Sequence, residues 1–304
     1  MMHLYEACQL CPRACKVNRV DGNTGLCGVT SHIKVARAAL HHWEEPCISG
    51  TKGSGAVFFS GCSLHCVFCQ NESISHGRGG KEITRERLAE IFLELQEKGA
   101  NNINLVTPGH FVPDIIWSVE HAKEQGLRLP IVYNTSSYEQ LDTIKALEGI
   151  VDIYLPDFKY WSDELAMRYS KAADYPQVAK SAIAEMVRQQ PQLKFVFDEE
   201  QDIELIKKGV IVRQLLLPGQ LADARQIVKY LYETYGNQIY LSLMSQFTPL
   251  PHVADYPELN RKVSRRTYEK LVDYAIEIGV ENGYIQEEDV AEESFIPDFD
   301  YEGV

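Results

Sequence analysis

The stretch from Gly61 to Asn71 reads GCSLHCVFCQN and carries Cys62, Cys66 and Cys69 in a C-x3-C-x2-C spacing. Thiolates are soft ligands that suit zinc and iron–sulfur clusters. Four of them would close a tetrahedral site. Three on a four-iron cubane leave one iron with an open coordination position, as a catalytic metal keeps one for its substrate. Gly61 lets the chain turn tightly before the first sulfur, and Phe68 offers a flat apolar surface beside the last. Upstream, Cys8, Cys11, Cys15 and Cys27 form C-x2-C-x3-C-x11-C, interspersed with Pro12, Gly22, Gly25 and Gly28. Four soft ligands in a segment with so little apolar material fit a metal knuckle of their own, because such a segment gains order from a metal. The spacing leaves zinc, a second iron–sulfur cluster and unmetallated thiols all open. Cys47 stands alone and reads as a small buried hydrophobe.

The elements that must position these residues alternate between short β-rich runs and helical patterns. The runs AVFFSG, INLVTPG, LPIVYNTSS, VDIYLPDFKY, VIVRQLLLPG and IYLSLMSQFTPL predict six strands. Between them, Thr84 is a candidate cap for a helix with Leu88, Ile91, Phe92 and Leu95 on one face. Pro113 opens a second helix, bearing Ile115, Ile116 and Val119. Further helices follow around Leu141–Leu147, Val178–Val187 and residues 220–236, and a last one runs from Ser264 to Gly279. Such alternation implies parallel strands joined by right-handed crossovers. A doubly wound sheet and a partial (β/α)6 TIM-like barrel both satisfy the pattern. The polar residues Cys62, Thr107, Asn134, Asp157, Lys159 and Gln246 each follow an apolar strand run, at the end of the strand where barrels gather their chemistry. Asp157 and Lys159 are two apart, so on a strand they share a face.

The chain has 304 residues and a formal charge of −13. That charge excludes a broad electrostatic grip on nucleic acid. Much of it lies in QEEDVAEESFIPDFDYEGV, which reads as a solvated acidic tail. No signal peptide and no membrane-length apolar run is visible, so a cytoplasmic protein is expected, with no membrane partner. All eight cysteines fall before residue 70, seven of them in two clusters. In a reducing compartment such crowding points to metal rather than to disulfides. The organisation expected is a Cys-rich extension over 1–55, an α/β core over 56–250, and a helix with the acidic tail over 251–304.

C-x3-C-x2-C with an aromatic residue before its last cysteine, on the loop after the first strand of a βα series, resembles the radical S-adenosylmethionine superfamily. The segments CQLCPRACKVNR, VARAALHHWEEPCISG, GCSLHCVFCQN, FKYW and VRQLLLPG together resemble its group related to pyruvate formate-lyase activating enzyme, over most of residues 5–280. The resemblance implies a [4Fe–4S] cluster on Cys62, Cys66 and Cys69, with S-adenosylmethionine chelating the open iron. It implies reductive cleavage of that cofactor to a 5′-deoxyadenosyl radical, anaerobic use, and a reductant such as flavodoxin or ferredoxin. Asp157 and Lys159 match a D-x-K that contacts the cofactor, Arg213 matches a fifth-strand position, and Asn134 and Gln246 would face the same mouth. Where the family has Gly-Gly-Glu, this chain has VTPGH, so Thr107, Gly109 and His110 are the candidates for that contact. The activity implied first is an oxidoreductase that installs a glycyl radical on a partner enzyme. A radical enzyme for a small molecule or another peptide, and a non-catalytic electron carrier or regulator, are the alternatives.

Overall fold

A computed structural model of the chain describes residues 3–286 and 297–304. Its strands are β1 (Ile33–His41), β2 (Ser54–Phe59), β3 (Lys81–Ile83), β4 (Ile103–Val106), β5 (Ile131–Thr135), β6 (Ile153–Pro156), β7 (Lys194–Asp198), β8 (Ile203–Leu215), β9 (Tyr240–Met244) and β10 (Gly283–Ile285). They form a sheet in the order β10-β9-β8-β6-β5-β4-β2-β1-β3, with β7 paired to β8. Every neighbour pair from β10 to β2 is parallel; β1 runs antiparallel to β2, and β3 to β1. The parallel strands keep chain order across the sheet, so the winding never reverses. A doubly wound sheet reverses at a switch point. The strand order therefore selects the partial barrel, with β3 and β10 at its two edges.

Each residue of β2, β4, β5 and β6 is buried. Parallel strands need this, because helices cover one face and side chains fill the other. The helix Arg85–Glu97 buries Leu88, Ile91, Phe92 and Leu95, and the Thr84 hydroxyl accepts from the Arg87 N–H at 3.1 Å, the expected cap. Ser264 caps Arg265–Ile278 in the same way. Pro113 sits in the first turn of Val112–Glu124, where its missing N–H is tolerated. The interior floor is plugged by the short helix Pro46–Ser49. Its Cys47 and Ile48 pack against Val132, Ile153, Leu155 and Ile211, so Cys47 is a buried hydrophobe as expected.

Two elements differ from the expectation. Residues 33–41, assigned to a lead-in, form β1 inside the sheet; the run ARAAL lacks the β-branched residues that mark a strand. β7 is a half-exposed hairpin arm against the early part of β8, which overshoots the sheet before Gly209 (φ 133°). The acidic tail makes a contact that its composition does not show. Part of it lies outside the described residues, but its last eight residues, 297–304, return to β1 while the side chains of Asp300 and Glu302 stay exposed. The Ala38 N–H donates to the Glu302 carbonyl (2.8 Å), and the Tyr301 N–H donates to the Ala36 carbonyl (3.2 Å). Arg37 pairs with Asp300 at 2.8 Å and also with Glu302, while Phe299 packs edge-on against Phe58. The acids there have a cation to meet, which a count of charge does not reveal. Among the described residues no helix is long and apolar enough to cross a membrane.

Candidate functional site

A cavity of about 220 Å³ opens at the C-terminal ends of the parallel strands. Cys62, Cys66, Phe68 and Cys69 form one wall, and Thr107, Asn134, Asp157, Lys159, Arg213 and Gln246 line the rest. Ten residues singled out from sequence, scattered over 185 positions, thus share one space. The loop that carries the thiols leaves β2 at Gly61, whose φ of 91° excludes other residues at low cost. Three backbone bonds tie the loop to other segments and a fourth closes a turn within it. Gly61 N–H donates to Ile74 O (2.9 Å), Cys62 N–H to Cys27 O (3.3 Å), Val67 N–H to Tyr169 O (2.8 Å) and Cys69 N–H to Cys66 O (3.0 Å). The Leu64 N–H points at the Cys62 sulfur at 3.4 Å, a contact that tunes metal-bound thiolates. Phe68 is wedged among Tyr160, Tyr169 and Phe247, with ring centroids 6.1–6.4 Å away, which fixes the loop through aromatic packing.

Opposite the thiols lies a network of alternating charge. Asp157 accepts from Lys159 Nζ (2.6 Å) and from Arg213 Nε (2.7 Å). Arg213 also donates to Glu44 Oε2 (3.0 Å) and to Asn134 Oδ1 (2.6 Å). Glu44 Oε1 accepts from the amides of Asn104 (3.0 Å) and Asn134 (3.1 Å). Burial works to raise Asp157, but Arg213 and Lys159 outweigh it and hold the carboxyl below its ordinary range. Burial likewise disfavours both cations, yet their carboxylate partners push Arg213 and Lys159 up. Asp157, Lys159 and Arg213 are each favoured in their charged forms, and the rigid guanidinium fork is the part that joins two carboxyl groups and an amide.

Below the network, the buried Tyr175 hydroxyl accepts from the Lys159 N–H (2.8 Å) and contacts the carbonyls of Ser136 (2.9 Å) and Asp157 (3.0 Å). It ties together the backbone ends of β5 and β6. Sequence reading missed Tyr175 and Glu44. Glu44 lies in the quoted segment VARAALHHWEEPCISG, but only the β1–β2 reversal brings it to the cavity. Glu45, its neighbour, is buried as well, and burial raises its pKa against the pull of Arg213.

Two expected contacts lie elsewhere. Gly109 opens a 3-10 turn whose backbone faces Glu139; a Cβ built there would stand 2.5 Å from Glu139 Oε2. His110 is buried, and its Nε2 meets the Ser60 carbonyl at 2.8 Å, under the cysteine loop. Of that segment only Thr107, held at φ 58°, and Val106 reach the cavity.

The upstream cysteines also gather, beside the loop and outside the cavity. A Cβ on Gly25 would lie 3.2 Å from Cys15 Sγ and 3.5 Å from Cys27 Sγ, and Cys11 feels the charges of Cys8 and Cys27. Arg13 reaches across to the carbonyls of Ser63 (2.9 Å) and Ser170 (2.8 Å). Among the described residues, no three His, Cys, Asp or Glu side chains stand at single-ion spacing. Thiols that share a cubane stand wider apart, since each binds a different iron.

Residues 56–191 match the model of the radical SAM superfamily. Over 281 residues the chain is 27% identical to the uncharacterized protein MJ0674 of Methanocaldococcus jannaschii, covering 90% of this chain and 75% of that one. It is 30% identical over 117 residues to the pyruvate formate-lyase-activating enzyme of Clostridium pasteurianum, covering 36% of this chain and 46% of that one. Among solved structures, Streptococcus suis SuiB bound to S-adenosylmethionine superposes with a TM-score of 0.50 at 12% identity, over 74% of this chain and 48% of SuiB. The chain thus spans about half the length of SuiB, and that likeness is one of fold. The family implies a [4Fe–4S] cluster and S-adenosylmethionine, and the donor set fits: three soft thiols on one pinned loop, walling a cavity with charged groups opposite. Burial pushes the Cys62 thiol up to about 11 and Cys69 to about 12, so a bound metal is what would hold them as thiolates. Residues 56–191, a little under half of the chain, are thus similar to the radical SAM superfamily, in line with the cysteine loop they contain.

Proposed function

We propose that Cys62, Cys66 and Cys69 hold a [4Fe–4S] cluster with S-adenosylmethionine at its open iron, and that the chain activates a glycyl radical enzyme by hydrogen abstraction. The cluster and cofactor together supply a 5′-deoxyadenosyl radical. The observation that carries this reading is one cavity walled by three thiols on one side and by the Lys159–Asp157–Arg213–Glu44 network on the other. In it Lys159 offers an ammonium to a carboxylate, and Asp157 orients that ammonium. Glu44 and Asn134 offer acceptors to a cationic amine, and Thr107 offers a hydroxyl. Arg213 is occupied by three partners and acts by holding the others in place. Phe68 and its aromatic neighbours keep water from the loop.

The stretch of likeness to the activating enzyme of Clostridium pasteurianum supports the glycyl radical substrate. Residues 56–250, completed by Glu44 from the preceding segment, form the catalytic unit in this reading, and flavodoxin or ferredoxin supplies the electron. Eight free cysteines suit a reducing cytoplasm. The test is anaerobic: reconstitute with iron and sulfide, reduce, add S-adenosylmethionine, and measure methionine and 5′-deoxyadenosine. Cleavage accompanied by a glycyl EPR signal on a co-encoded partner enzyme is the expected result. Cleavage without a protein radical turns the reading to a small molecule or other peptide, and no cleavage by an intact reduced cluster leaves only the electron carrier.

A further inference from the structure

From residue 7 to residue 32 the chain has no helix or strand. Tyr5, Cys8 and Leu10 form a small core for this segment, with Cys15 and Val20 against them, and Cys27 and Val29 anchor its far end in the main core. A core of that size does not order such a stretch by itself. Yet its backbone is held in demanding conformations: Ala14 and Lys16 lie at φ 39° and 55°, regions that residues with a Cβ rarely adopt. Tight bonds close the turns around them, with Ala14 N–H donating to Cys11 O (3.0 Å), Lys16 N–H to Cys8 O (2.9 Å) and Cys8 N–H to Val17 O (3.1 Å). These turns gather the four sulfurs around Gly25 and Cys27.

Arg19 gives an independent observation. Its side chain is fully buried (0% exposed). It donates to the Thr30 carbonyl (2.6 and 3.2 Å), to the His110 carbonyl (2.8 Å) and toward Cys8 Sγ (3.7 Å), with the rings of Tyr5 and Phe111 on its faces. Among the described residues no carboxylate stands within ion-pair distance of it. Asp114 is near, but it accepts the Tyr5 hydroxyl at 2.6 Å, and burial raises its pKa. A buried guanidinium with no ion pair is unfavourable, and Cys8 Sγ is among the few groups toward which its N–H bonds point.

We infer that Cys8, Cys11, Cys15 and Cys27 hold a second iron–sulfur cluster, whose thiolate charge Arg19 balances and which braces the three-cysteine loop. Each cysteine gives its proton to solvent and binds iron through sulfur, with no change in the oxidation state of sulfur. A cluster is favoured over zinc because, among the described residues, no three of these side chains form a group able to hold a single ion, whereas a cubane spreads its thiolates over separate irons. Bracing runs through the Cys27 carbonyl, which accepts the Cys62 N–H, and through Arg13 on the Ser63 carbonyl. The inference does not rest on the radical reading.

The test removes the cavity ligands altogether. A Cys62→Ala, Cys66→Ala, Cys69→Ala variant, purified anaerobically, is expected to keep about four irons and matching sulfide per chain, with a cluster EPR signal on reduction. Iron-free protein, or protein holding zinc alone, overturns the assignment. In the wild-type background, Cys11→Ser with Cys15→Ser changes two partly exposed positions and is expected to halve the iron per chain. Unchanged iron in that variant also overturns it.

Discussion

The two cysteine groups sit side by side and are built on opposite principles. Cys62, Cys66 and Cys69 hang from β2, every residue of which is buried, and from a sheet whose strand ends supply the facing charges. Cys8, Cys11, Cys15 and Cys27 lie in a segment that forms no strand or helix of its own, and Cys8 faces the buried Arg19. A loop borne by a rigid sheet can leave a coordination position open, because its shape does not depend on filling it. A segment without a scaffold gains its shape from closing its ligand set. Three sulfurs suit the first situation and four the second.

The comparison is broken most severely by removing the cavity's charged hub. Arg213 is 13% exposed and Glu44 9%. Arg213→Leu leaves Glu44 and Asp157 without their guanidinium and is expected to cost about 3–5 kcal/mol of stability, read from the denaturant midpoint. Arg213→Lys, which lacks the fork, is expected to recover only part of that loss. An Arg213→Leu midpoint equal to wild type would mean that the network does not hold the strand ends.

A smaller effect is expected at the joint between the two regions. A Cβ on Gly61 would stand 2.6 Å from the Cys27 carbonyl, at a φ of 91°. Gly61→Ala is expected to cost about 1–3 kcal/mol, with faster hydrogen exchange in both cysteine groups. Exchange changes confined to the cavity loop would show the groups to be independent.

Gentlest is a pH effect at the same joint. His110 gives its carbonyl to Arg19 and its ring to Ser60, and burial foremost, with Arg19 beside it, lowers its pKa to about 3. The folded chain keeps this imidazole neutral while the unfolded chain protonates it near 6.5. Its contribution is therefore complete above pH 6.5 and is lost as pH falls from there toward 3, by up to tenfold in the folding equilibrium per pH unit. His110→Gln is expected to flatten that slope, and an unchanged slope would assign it to other groups.

What was legible in the sequence was local. C-x3-C-x2-C, D-x-K and the Thr84 cap each need only a few neighbouring residues to be read; the first two line one cavity, and Thr84 caps its helix. The strands of the barrel were legible because parallel strands are continuous apolar runs. Glu44 was not, since an antiparallel β1 rich in alanine carries it to the cavity. Gly109 and His110 misled for the converse reason: they adjoin Thr107 in sequence, but the 3-10 turn Gly109–Phe111 carries them out of the cavity. The acids at the end of the chain were legible as exposed, but their pairing with Arg37, more than 260 positions away, was not.

The central claim is that Cys62, Cys66 and Cys69 leave one iron open to S-adenosylmethionine. Mössbauer spectra of the iron-57 reconstituted, reduced protein, recorded with and without S-adenosylmethionine, test it directly. The account predicts that one iron site changes its parameters when S-adenosylmethionine is added, and that the change disappears in Cys66→Ala. Spectra indifferent to S-adenosylmethionine in a fully loaded wild-type protein would contradict it.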